Sequence, residues 1–259
     1  MQEAQQAGLS VIGLTDHDTT AGWAEAVDAV PAGLSLVRGA EVSCSREGIS
    51  LHLLAYLFDP AEPAFAAARL QLRDSRLGRA QLMVAMIAND GHDVSWEQVQ
   101  ALAGGTVGRP HVAQALMAAG LVDTVTDAFT PQWLGTHGRY WVGKHELDVV
   151  EAVALVTGAG GVAVFAHPGA TKRGRTVADE VIADMAAAGL AGLEVDHMDH
   201  SEDEKVHLRG LAGELGLFTT GSSDFHGANK TVQLGAFTTN SQTYDDLVQQ
   251  ATGLAVVTG

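Results

Sequence analysis

The chain has 259 residues, long enough to bury a full core as one domain with an insertion or as two modest domains, and its 46% hydrophobic content excludes a largely disordered protein. Lys and Arg total 15 against 31 Asp and Glu, and the net charge of -16 repels nucleic-acid backbones over long range, so duplex nucleic acid is not an expected partner. The single cysteine, Cys44, excludes an internal disulfide framework, no apolar stretch reaches the ~18 residues of a membrane span, and Met1 to Gln6 has neither the basic start nor the apolar run of a signal peptide, so a soluble cytoplasmic protein with no membrane partner is expected.

Residues 1–8 read as the tail of a helix ending at Gly8, a plausible C-cap. Leu9 to Leu14 reads as a strand, Ala21 to Ala29 as a helix, Leu34 to Val37 as a strand running into Gly39-Ala40-Glu41, and Ile49 to Phe58 as a further strand. From Ala64 to about Gly120 the pattern turns helical. Ala66 to Asn89 spaces Leu70, Leu77, Leu82 and Met86 as one apolar face with many Arg opposite, and Val94 to Ala103 and His111 to Ala119 continue the helices. The α/β rhythm then resumes: helix Leu147 to Thr157, strand Val162 to Phe165, helix Val177 to Ala188, strand Gly192 to Val195, helix Glu202 to Leu215 and strand Leu217 to Gly221. A last strand, Leu234 to Thr238, and a last helix, Tyr244 to Gly253, close the chain. This predicts a parallel, barrel-like α/β domain from residues 1–61 and 136–259, interrupted by a helical insertion at 62–135.

Four segments at the ends of apolar runs carry metal-ligand chemistry, and polar groups at the carboxyl ends of parallel strands are how a β/α barrel builds an active site. Thr15-Asp16-His17-Asp18 sets two carboxylates around an imidazole; the plain alternative is a loop whose Asp18 caps the next helix. Glu41 and His52 stand on neighbouring strands, where a solvated Glu and a satisfied core His are the alternatives. In Ala166-His167-Pro168 the proline stops the strand and fixes the turn that presents His167. In Asp224-Phe225-His226 the i, i+2 spacing points both ligands to one side if the segment stays extended. In the insertion, Gly108-Arg109-Pro110-His111 opens a helix, where Arg109 and His111 suit a phosphate as well as a plain helix start. Lys172-Arg173-Gly174-Arg175 is the one dense basic cluster, read as a solvated loop or an anion attractor. Asp196-His197-Met198-Asp199-His200 is read as a polar rim rather than a ligand group.

Together these segments resemble the polymerase and histidinol phosphatase superfamily of metal-dependent phosphoesterases. The likeness is to bacterial members that remove the 3′-phosphate from nucleoside 3′,5′-bisphosphates, some of which trim short RNA from its 5′ end. It covers nearly the whole chain and implies a distorted (β/α)7 barrel-like fold with the inserted helical domain. It also implies up to three divalent ions. The metal ligands it implies are His17, Glu41, His52, His167, Asp224 and His226; Asp16, His17, Asp224 and His226 are the implied catalytic set, and Arg109 and His111 the implied substrate contacts. One implied site joins Glu41, His52 and His167. A second joins His17 and His226 with an early ligand, and a third joins Glu41 and Asp224 with an initial His-x-His pair. Nothing in this sequence matches that pair, and the first barrel strand is expected to be missing. Mixed imidazole and carboxylate donors suit Mn²⁺, Fe²⁺ or Zn²⁺ better than Mg²⁺ or Ca²⁺, and Mn²⁺ is the expected metal. The resemblance implies a small phosphorylated nucleotide as the substrate, with short RNA as a further one. A histidinol-phosphate-like phosphatase and a non-catalytic metal- or nucleotide-binding relative are the alternatives.

Overall fold

The computed structural model describes residues 1–103, 107–227 and 231–259. Helix α1 (Gln2–Gln6) precedes strand β1 (Val11–Leu14), and α2 (Trp23–Asp28) returns the chain to β2 (Ser35–Arg46). These strands pair in parallel, from Val11 opposite Ser35 to Leu14 opposite Arg38. Strand β2 then runs on and turns back through Glu47 and Gly48, at φ 53° and 72°, into β3 (Ile49–Tyr56). Two central residues with positive φ give a hairpin turn whose twist matches that of paired strands. Strand β3 is therefore antiparallel to β2, and also to β5 (Val162–Phe165), where a purely parallel rhythm was expected. From β5 onward β6 (Gly192–Asp196) and β7 (Phe218–Gly221) pair in parallel, giving the order β1-β2-β3-β5-β6-β7. Two short strands, β4 (Leu147–Asp148) and β8 (Val257–Thr258), add to β2.

Directly opposed residues of an antiparallel pair share a face, as do alternate residues of one strand. Ser43 faces His52 and Glu41 faces Leu54, so Glu41, Ser43, His52 and Leu54 lie on one face. Beside the polar residues, that face holds a cluster of Leu54, Val164 and Ala166, packed by Tyr56 and Phe218. The apolar body of the sheet thus ends in its ligand-bearing rim.

The remaining helices of this unit are α6 (Val149–Gly158), α7 (Asp179–Ala187), α8 (Glu202–Leu215) and α9 (Ser241–Gln250). Helix α8 starts at a capping box between Ser201 and Glu204 and ends at Gly216, whose φ of 69° suits glycine. The second unit contains most of α3 (Pro63–Asn89), then α4 (Trp96–Ala103) and α5 (Arg109–Ala118). Its core gathers Met83, Ile87, Val99, Val112, Leu116, Leu134 and Tyr140. Two compact units result, Met1–Ala68 with Glu146–Gly259 and Arg69–His145; the borders fall later than 62 and 135. Among the described residues no helix is long and apolar enough to cross a membrane.

Three expected features differ. Leu234 to Thr238 forms turns, not a strand: Ser223 Oγ both accepts from Phe237 N and donates to Phe237 O, and Thr239 Oγ1 bonds Gly221. Side chains take the hydrogen bonds that a ladder would have used. On α3, the expected apolar face is exposed, with Leu70 49% and Leu82 57% accessible; Leu72, Ala80, Met83, Val84 and Ile87 are buried instead, alongside Arg69 and Arg79. Strand β1, whose apolar run predicts burial, is only half-buried at Val11, Ile12 and Leu14, because it forms the sheet's edge.

Candidate metal centre

The loop after β1 is tied to β2 by main-chain bonds. Asp18 N donates to Glu41 O (3.0 Å), and Glu41 N donates to Asp16 O (3.2 Å). His17 and Glu41 are thereby held side by side as an isolated parallel bridge. Asp18 is not a helix cap, since the N-cap of α2 is Gly22. Its buried carboxylate accepts from Ser43 N (2.7 Å) and Ser43 Oγ (2.8 Å) with its backbone at φ 58°. One acid thus fastens the loop bearing His17 to the strand bearing Glu41.

Glu41 sits at the centre of three imidazoles. Oε1 lies 2.6 Å from His52 Nδ1 and 3.4 Å from His167 Nε2, and Oε2 lies 3.6 Å from His17 Nδ1. His52 Nδ1 is also 3.5 Å from His167 Nε2. Burial pushes the Glu41 carboxyl up, but His17, His52 and His167 together outweigh it and hold the carboxyl well below the usual range. Burial pushes the His167 imidazole down, and Glu41 offsets this only in part. An ionised carboxylate and a neutral imidazole are the protonation states in which these groups bind a cation. Ligand atoms of His17, Glu41 and His52 all lie within 4.8 Å of one another, so these residues fit a divalent ion.

A second group lies around Asp224. Its Oδ1 is 3.3 Å from His226 Nδ1, and its Oδ2 is 2.8 Å from Arg173 Nη2 and 3.3 Å from His197 Nε2. The segment is not extended here: Asp224 has φ 47°, and His226 Nδ1 lies 2.8 Å from the Asp224 carbonyl. The turn, not strand alternation, brings the two side chains together. His17 links the groups, its ring centroid 4.8 Å from that of His52 and 6.1 Å from that of His226. Asp18, His167 and Asp224 all have positive φ, a conformation that costs energy outside glycine and collects at functional sites. Asp16 is exposed on its loop.

Arg109 and His111 lie in the second unit, at the start of α5. His111 Nδ1 accepts from Gly108 N (3.0 Å), closing a capping box, and the Arg109 guanidinium lies 5.7 Å from the Phe129 ring centre. Burial pushes the His111 imidazole down. The segment after β6, expected to be a polar rim, is largely interior: His197 is 0% and His200 4% exposed. Glu194 is also buried and accepts the His167 N–H (2.9 Å); burial, then Asp224, pushes its carboxyl up to about 8. Arg173 bridges Asp199 (2.5 Å) and Asp224. For His197 and His200 the signal was their place after a strand end, the same one that marked the four ligand segments.

No family model matches the chain. It is 35% identical over 224 residues, 84% of its length and 77% of the relative's, to the 3′,5′-nucleoside bisphosphate phosphatase of Chromobacterium violaceum. It is 30% identical over 236 residues, 91% of its length and 86% of the relative's, to the 5′-3′ exoribonuclease of Haemophilus influenzae. A crystal structure assigned to a metal-dependent phosphoesterase of Bifidobacterium adolescentis superposes with a TM-score of 0.91 at 35% identity, covering 97% of this chain and 89% of that one. The chain belongs to the polymerase and histidinol phosphatase superfamily and is a metal-dependent phosphoric ester hydrolase.

Proposed function

We propose that the chain hydrolyses phosphomonoesters of small nucleotides, acting on the 3′-phosphate of a nucleoside 3′,5′-bisphosphate with Mn²⁺ as its metal. The observation that carries this reading is the Glu41 carboxylate ringed by His17, His52 and His167 in a chain 35% identical to a phosphatase of that class. His17, Glu41, His52, His167, Asp224 and His226 would hold the ions. Divalent ions bound there supply an activated water and neutralise charge on the phosphoryl oxygens. The chain's own groups orient and protonate. Glu41 keeps the three imidazoles on one centre. Asp16, His17, Asp224 and His226 form the catalytic set, with Asp16 at the solvent side. Arg109 and His111 contact the substrate: His111, with Nδ1 accepting from Gly108, keeps its proton on Nε2 and can donate it to a phosphate oxygen.

The test is release of inorganic phosphate by the Mn²⁺-loaded protein from adenosine 3′,5′-bisphosphate, from a short RNA and from histidinol phosphate. The bisphosphate should be the preferred substrate. Preference for histidinol phosphate would overturn the substrate class, and Mn²⁺ binding without turnover of any of the three would defeat the small-nucleotide reading. A second reading, trimming of short RNA from the 5′ end, is favoured by the 30% identity to an exoribonuclease. Mononucleotide release from the RNA in the same assay would support it.

A further inference from the structure

His197 is wholly buried, follows β6 and stands against Asp224, which invites reading it as one more metal ligand. Its hydrogen bonds argue otherwise. The Asp199 backbone N–H points at His197 Nδ1 (3.1 Å). A backbone N–H can only donate, so Nδ1 is an acceptor without a proton, and the ring's proton is on Nε2. Nε2 is the atom 3.3 Å from Asp224 Oδ2, so it donates to the carboxylate and has no lone pair to offer a cation. The neighbouring His200 carries the opposite tautomer. Its Nδ1 lies 2.8 Å from the Val195 carbonyl, which can only accept, and its Nε2 accepts from Gly169 N (3.1 Å). Each ring is thus fixed by a main-chain group in β6 or in the turn after it, and each spends its other nitrogen on a segment that bears candidate ligands. Asp224 itself is held at φ 47°, a conformation that needs support from its surroundings.

We propose that His197 is a positioning residue: its Nε2–H fixes the Asp224 carboxylate for metal binding, and it is not itself a ligand. This rests on the reading of Asp224 as a ligand given above. Groups in this relation to a metal ligand typically change affinity by ~10–100-fold when removed. Arg173 Nη2 shares the same carboxylate oxygen at 2.8 Å, so the loss on removing His197 belongs at the lower end of that range.

The experiment uses the full chain with Zn²⁺, a diamagnetic probe, and records ring-nitrogen correlations by long-range proton–nitrogen NMR alongside metal affinity and the metal-free melting temperature. His197 should show the Nε2–H tautomer both before and after Zn²⁺ addition. His197→Leu should weaken Zn²⁺ binding about tenfold, and His197→Gln, which retains an N–H near the Nε2 position, should recover most of it. Transfer of the proton away from Nε2 on adding Zn²⁺ would make His197 a ligand and overturn the proposal. So would unchanged affinity in His197→Leu while Asp224→Asn binds weakly. If Asp224→Asn binds Zn²⁺ normally, the ligand reading of Asp224 falls and the role of His197 with it. Should His197→Leu fail to fold, the wild-type spectra and His197→Gln still decide between positioning and ligation.

Discussion

Asp18 and Ser43 form a joint whose strength one substitution can measure. Both Ser43 donors end on the Asp18 carboxylate, and Ser43 is 0% exposed. Removing a buried acceptor costs about 1–3 kcal/mol for each donor it leaves behind, so Asp18→Ala should destabilise the protein by at least about 2 kcal/mol. Urea unfolding measures it, and a change under about 0.5 kcal/mol, the range of a plain surface site, would mean the joint is not a constraint. The same substitution should weaken metal binding, because the joint sets His17 beside Glu41. His52 and His167 are expected to matter more directly. Both approach Glu41 Oε1, and deleting either imidazole opens the ring of donors. We expect His52→Ala and His167→Ala to lose tightly held metal by elemental analysis, while Lys172→Ala, at an exposed 3-10 turn, retains it. Full metal content in both histidine variants would refute the ligand assignment.

Helix α6 shows how an element is fixed in place from outside. Asp148 ends β4, caps α6 by accepting from Val150 N (3.0 Å) and Glu151 N (3.3 Å), and pairs with Arg46 of β2 at 2.8 Å. Burial pushes its carboxyl up, but Arg46 and the two N–H groups outweigh that and leave it below the ordinary value. A carboxyl lowered by folding contributes stability above its unfolded pKa and loses it as pH falls through the folded pKa. Asp148→Ala should therefore cost about 1 kcal/mol at neutral pH, the usual worth of such a cap, and the gap to the unmodified protein should narrow below the ordinary carboxylate range. A gap that stays constant with pH would assign the loss to packing instead. Elements whose signals are local were legible in the sequence: β5 is a run of four buried apolar residues, and α8 carries its cap at Ser201 and its stop at Gly216. Elements decided by distant partners were not. The face that α3 buries depends on what packs against it, and both choices are apolar at helical spacing. The Glu47-Gly48 turn carries no Asn-Gly or Asp-Gly hairpin signal, and the α/β rhythm around it favoured a parallel strand. For the site, the placement of Glu41 and His52 on neighbouring strands was readable, although both lie inside β2 and β3 rather than at their ends. Their approach was not, because it depends on the register that sets Ser43 opposite His52.

Across the first unit, the candidate ligands come from five places between His17 and His226, so an ion that joins them cross-links segments that are remote along the chain. A ligand that binds only the folded state adds about 2.7 kcal/mol at a hundredfold excess over its dissociation constant, and a protein of this size gains roughly 2–4 °C in melting temperature per kcal/mol. Saturating Mn²⁺ should thus raise the melting temperature by about 5–10 °C over the chelated protein. Glu41→Gln should abolish most of that response, and a shift of the same size in Glu41→Gln would place the stabilising ion elsewhere. The charge of the whole molecule sets a further expectation. At -16 it repels a polyphosphate, and repulsion between exposed charges is screened beyond about 10 Å at 0.1 M salt. Proteins that bind nucleic acid through a basic surface lose affinity as salt rises. Here the long-range field has the opposite sign, while Arg173, paired with Asp224 at the candidate centre, acts only at short range. If short RNA is a substrate, kcat/KM for it should increase between about 10 and 150 mM monovalent salt, and more steeply for longer oligonucleotides, because longer chains meet more of the field. The nucleoside bisphosphate should change less. A kcat/KM for RNA that falls steadily with salt would show that a local basic path, not the net charge, governs how the substrate arrives.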